Sequence, residues 1–309
     1  MPLQALLLRL PAEIRLNVYR SFFSSVSLAF TEPNSLALEI ALRRTPNALS
    51  LLLVCHQTHL ETKTIWLNSI EFEFETLELL MDVFSKLPDS TLSQIRHVLL
   101  AKASILIHQP SDQPIGRMFT IALVLKLLPA LSLDLLTVVG MCDCEDSYAT
   151  LDDLVKYGSG WKELRFLTAQ SSMLGFANRG WSQSYGERMP QPGAWRKDIL
   201  GRDGSERGPS VEIFRSTDVN GGIQAVLDTT TRESFEQAEP EDKTVFGKQK
   251  DMQLMAEGEK GKALLVVVRR GKDVDFARDG VAPYEVHDIG SIPGVVTWSV
   301  LKEMCIDYI

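Results

Sequence analysis

Ile70-Glu71-Phe72-Glu73-Phe74-Glu75-Thr76 runs directly into Leu77-Glu78-Leu79-Leu80-Met81-Asp82-Val83-Phe84, and the hydrophobic period changes at the junction. Residues 71–74 alternate acidic and aromatic side chains, the period of two of a half-buried strand. Leu77, Leu80, Met81 and Phe84 fall on one face of a helix, which predicts a helix over 76–87. The same exchange recurs downstream. Residues 95–100 read as a strand, 115–128 as a helix ended by Pro129, and 135–139 as a strand. Residues 150–157 read as a helix with Gly158 as its C-cap, and 164–167 as a further strand.

Strand–helix alternation at about thirty to forty residues per unit predicts irregular units stacked side by side, loosely like leucine-rich repeats. A small α/β layer is the rival arrangement. The expected fold class is α+β: an N-terminal helical unit over 1–70, irregular α/β units over 71–177, and a loop-rich C-terminal third. Glycine, proline and serine dominate 178–210, as in Gly180-Trp181-Ser182-Gln183-Ser184-Tyr185-Gly186, which predicts a flexible loop. The remainder, 211–309, leans toward β structure, with strands expected at 211–214, 223–227 and 264–269. A charged, partly disordered stretch is expected near 229–261 and a closing helix within 295–309.

With 309 residues, 45% hydrophobic and 23% charged, the chain has the composition of a globular protein able to bury a core. Its net charge of −8 argues against nucleic acid or an anionic membrane as partner. Four cysteines, Cys55, Cys142, Cys144 and Cys305, are too few for a disulfide framework, which points to the cytosol or nucleus. The apolar start lacks a basic n-region and a cleavage site, so no secretory signal is expected. The oily stretch over 119–141 is interrupted by Lys126, Pro129 and Asp134, so no membrane span is expected.

Catalytic chemistry is not signalled. His56 and His59 are three apart, whereas a His-Glu-x-x-His zinc site needs four, and Gln57 stands where that glutamate belongs. Cys142-Asp143-Cys144 has no second ligand pair nearby and reads as an acidic loop. Gly158-Ser159-Gly160 is too tight for a nucleophile elbow. Gly258-Glu259-Lys260-Gly261-Lys262-Ala263 lacks the first glycine and the closing hydroxyl of a P-loop. Trp161, Trp181 and Trp195 are expected to pin loops to the core. No enzyme, metal or cofactor is expected; a catalytic site would need at least two of Cys142, Cys144, Asp152, His97 and His108 to converge.

The N-terminal unit carries the content. Pro11 suits a first helical turn, and Ile14, Val18 and Phe22 follow at intervals of four, predicting one apolar stripe. Short β-leaning runs at 26–30 and 36–42 make 24–45 a strand-forming insertion. A second helix is expected to open at Thr45-Pro46 and to turn Leu49, Leu52 and Leu53 toward the first. So small a helical unit buries little alone and gains stability by docking on the rest of the chain or on a partner.

Leu10-Pro11-Ala12-Glu13-Ile14-Arg15-Leu16-Asn17-Val18-Tyr19, with the later Leu53-Val54-Cys55-His56-Gln57, Glu61 and Trp66, resembles the F-box, most closely the divergent F-box-type proteins of filamentous fungi. A weaker likeness continues through Gln94-Ile95-Arg96-His97. The resemblance implies a non-catalytic substrate receptor of a cullin-type ubiquitin ligase. Its N-terminal unit would dock on the ligase adaptor subunit through Leu10, Pro11, Ile14, Val18, Val54 and Cys55, and the remainder would bind a protein target. This chain departs from the family in the 24–45 insertion and in Thr58, which replaces an aromatic residue. The competing expectation is a stand-alone interaction domain with those helices sealed in its core.

Overall fold

The computed structural model describes residues 7–31, 49–108, 116–140, 144–174, 192–235, 261–274 and 297–303. Its centre is an eight-stranded, mostly parallel sheet. Strands β1 (Ser27–Phe30), β2 (Glu71–Thr76), β3 (His97–Lys102), β6 (Leu133–Val139) and β7 (Trp161–Thr168) lie side by side in chain order, all parallel. Strand β10 (Leu264–Arg269) then pairs antiparallel with β7 on one side and with β8 (Ser210–Ser216) on the other. The short β9 (Arg232–Ser234) continues from β8. A separate hairpin joins β4 (Ser104–His108) to β5 (Gly116–Thr120).

The helical half of the opening motif folds as its period dictates. Strand β2, however, lies between β1 and β3 and is buried on both faces rather than half-buried, with Glu73 and Glu75 only 2% and 3% exposed. Phe72 and Phe74 of β2 point into the main core, where Phe74 stacks on Phe30 at 4.8 Å and meets Phe84 edge-on at 5.0 Å. The strand hands over to α3 (Leu77–Phe84) at Thr76, whose hydroxyl accepts the Leu79 N–H at 3.2 Å, an N-cap that satisfies one of the helix's open donors. All four residues of the expected face, Leu77, Leu80, Met81 and Phe84, are fully buried. Further helices add to the same core: α1 (Ala12–Ser24), α4 (Asp89–Leu92), α5 (Ile121–Val124), α6 (Cys144–Lys156), α7 (Pro192–Asp203) and α9 (Trp298–Glu303). α9 is tied to α3 by Trp298 Nε1 donating to Asp82 at 2.8 Å. On the opposite sheet face, α8 (Gly222–Leu227) lays Ile223 and Val226 over Leu167, Leu265 and Val267.

Several local expectations are corrected. The loop expected over 178–210 contains α7, because Trp195 and Ile199, four apart, are fully buried and Trp195 Nε1 donates to Asp152 at 3.0 Å. Part of the helix expected over 115–128 is β5, since its backbone pairs with β4; the helix begins only after Thr120. Residues 223–227 are helical. Their apolar residues face the sheet at a spacing of three, which alternation cannot provide. The helix expected from 150 starts at Cys144, inside the expected acidic loop. Gly158 follows that helix in close quarters: a Cβ there would lie 2.5 Å from the Leu154 carbonyl oxygen. Within 229–261, residues 229–235 are described and contain β9 over 232–234; 236–260 lie outside the described residues, as do 36–42, Thr45-Pro46 and Trp181. Trp161 is fully buried, as is Trp195.

Candidate functional site

Pro11 opens α1: its carbonyl accepts the N–H groups of Ile14 and Arg15, both at 3.1 Å. Its fixed φ, here −52°, suits that position. Two rows with a spacing of four run along this helix, offset by one residue. Arg15, Tyr19 and Phe23 form the buried row, with Tyr19 and Phe23 in the main core. The apolar row is the exposed one: Leu10 is 38% exposed, Ile14 48%, Val18 43% and Phe22 37%. The four apolar side chains form one exposed strip along the helix surface.

The second limb departs from the expected helix. Residues 50–53 make a 3₁₀ turn, and α2 (His56–Thr62) begins only after Cys55. The tight turn swings Leu53 outward to 85% exposure, so it does not pack on the first helix; Leu51 and Leu52 rest against the core instead. Val54 is 41% exposed. Cys55 is extended and caps α2: its Sγ accepts the Thr58 N–H at 3.5 Å and lies 3.2 Å from the Thr58 hydroxyl. These contacts draw the Cys55 thiol below its ordinary pKa. Thr58, the departure from the family pattern, is buried and completes this cap.

A polar clasp joins the limbs. The Arg15 guanidinium grips Glu61 with two bonds, Nε to Oε2 at 3.0 Å and Nη2 to Oε1 at 2.5 Å. Tyr19 Oη donates to Glu61 Oε2 and Gln57 Nε2 to Oε1, each at 3.0 Å. Nη1 of Arg15 reaches back to the Leu10 carbonyl at 2.5 Å. The Arg15 bonds first, then those from Gln57 and Tyr19, outweigh partial burial and hold the Glu61 carboxyl at about 2. Burial pushes the Tyr19 hydroxyl upward, so it stays a donor. Arg15, Tyr19 and Glu61 all lie in the quoted sequence pattern, but their mutual contact spans more than forty positions and no local spacing announces it.

Leu10, Pro11, Ile14 and Val18 thus share α1 and its entry, Val54 and Cys55 share the entry to α2, and α1 packs on α2. Elsewhere, Asp152 accepts Trp195 Nε1 and pairs with Lys156, while His97 is half-buried on β3 with its pKa pushed down by burial. Cys142 and the side chains of Cys144 and His108 lie outside the description. Among the described residues no group of three His, Cys, Asp or Glu side chains is placed to hold a metal. A small cleft opens beside the ends of β3 and β6, lined by Ser104, Gly140, Asp146, Ser147, Thr150 and Phe166 among others. No family model matches the sequence, and no curated protein and no solved structure matches it.

Proposed function

We propose that this chain is a non-catalytic interaction protein of the F-box type. Its N-terminal unit docks on the adaptor subunit of a cullin-based ubiquitin ligase, and the rest of the molecule holds a protein target. The observation that carries the reading is the exposed row Leu10, Ile14, Val18 and Phe22, beside exposed Leu53 and Val54. A helix sealed into its own domain would turn that row inward; here Arg15, Tyr19 and Phe23 occupy the inner side. In this reading the parallel half of the sheet is a run of loosely stacked strand–helix units that carries the target surface. The site of action is the cytosol or nucleus, in keeping with the few cysteines. Among the described residues no helix is long and apolar enough to cross a membrane.

Co-elution of the full chain with a purified fungal adaptor subunit tests the proposal. Ile14→Asp and Val18→Asp place charge on the exposed row and are expected to abolish the complex. Because neither side chain is buried, each variant should keep its folding free energy within about 0.5 kcal/mol of the parent. A complex that survives both substitutions removes this face from the account.

A further inference from the structure

We propose that Arg15 is the positioning residue of the docking face, an inference that rests on the adaptor-docking reading. The exposed row contributes little inward packing, so something else must fix where Leu10 and the α2 entry sit relative to α1. One guanidinium does both jobs. From the buried row of α1 it holds the Leu10 carbonyl through Nη1 and the α2 carboxylate through Nε and Nη2. Glu61 cannot swivel under this grip, because each of its oxygens also accepts a second donor, Gln57 on Oε1 and Tyr19 on Oε2. Lysine at position 15 would supply charge but not the planar fork, and could not span both carboxylate oxygens and the Leu10 carbonyl together. A face held in its bound geometry beforehand loses less freedom on docking, so loosening the clasp weakens association.

The experiment measures adaptor binding by titration calorimetry and amide hydrogen exchange across the full chain, for the parent, Arg15→Lys and the charge-swapped pair Arg15→Glu with Glu61→Arg. Arg15→Lys is expected to bind roughly tenfold more weakly. It should exchange faster at 7–14 and 55–62 with the sheet strands unchanged. The swapped pair keeps opposite charges at the two positions but removes the donor to the Leu10 carbonyl and the acceptor of Gln57 and Tyr19, so it should not regain affinity. Should Arg15→Lys fail to fold, Glu61→Gln is the replacement, with the same selective exchange expected. Parent-like affinity in Arg15→Lys, or affinity restored by the swap, overturns the positioning role and leaves the docking reading intact. A parent chain that does not bind the adaptor removes the docking reading instead. Exchange then decides the positioning role alone: selective loosening at 7–14 and 55–62 supports it, and unchanged or uniform exchange overturns it.

Discussion

Glu61 shows what one side chain contributes. Its carboxyl falls from an ordinary 4.5 to about 2 in the folded chain, chiefly through Arg15. A depressed carboxylate stabilises the fold fully above its unfolded pKa, and that contribution fades as pH falls through the folded value. The parent chain should therefore lose its advantage over Glu61→Gln progressively between pH 4.5 and about 2, read as the difference in their thermal midpoints. A difference that stays constant over that range would mean the clasp carries no charge-dependent stability. At this scale the sequence was half legible. The spacing of Ile14, Val18 and Phe22 announced an apolar row but could not say which way it faced. The inner row contains an arginine, and burying arginine is acceptable only with a partner, here supplied by Glu61 from a distant part of the chain.

The helix α7 is the clearest element whose signal was hidden. Proline and glycine precede Trp195, and those residues read as loop when neighbours in space are unknown. Tertiary packing decides otherwise. Trp195 stacks at a tilt on Tyr148, 5.4 Å between ring centres, and Arg202 donates to the carbonyls of Val155 and Gly158 at the end of α6. At the end of α7, Asp203 is gripped twice by Arg270 and accepts the Gly271 N–H at 2.7 Å, all in the interior. Burial pushes the Asp203 carboxyl up, but those bonds more than offset it and its pKa lies below the ordinary range. Trp195→Ala should cost about 3–5 kcal/mol in urea unfolding, the range for emptying a large aromatic site. A cost under about 1 kcal/mol would mean this segment is not packed as a helix. By contrast, the buried face of α3 was legible, because the change from strand period to helical period is local, although the capping role of Thr76 and the end of the helix at Phe84, short of the expected 87, were not.

For the whole molecule, the alternation of strand and helix from 70 to 168 was readable except for the β4–β5 hairpin, and with it the α+β class. The order of strands was not. That β10 slots between β7 and β8 is a matter of antiparallel pairing between segments far apart in the chain, and its Leu264-Leu265-Val266-Val267-Val268 run signals burial without naming neighbours. The C-terminal strands complete the end of the sheet away from β1, and Tyr19, Phe23, Val266 and Leu301 belong to one continuous core. The exposed row on α1 therefore lies on the outer side of a helix whose inner side joins a core to which both halves of the sequence contribute. Amide hydrogen exchange of the full chain, with and without the adaptor subunit, tests that presentation most directly. Added protection confined to 7–24 and 49–60 is the predicted result; no added protection there, or protection appearing only on other segments, would contradict it.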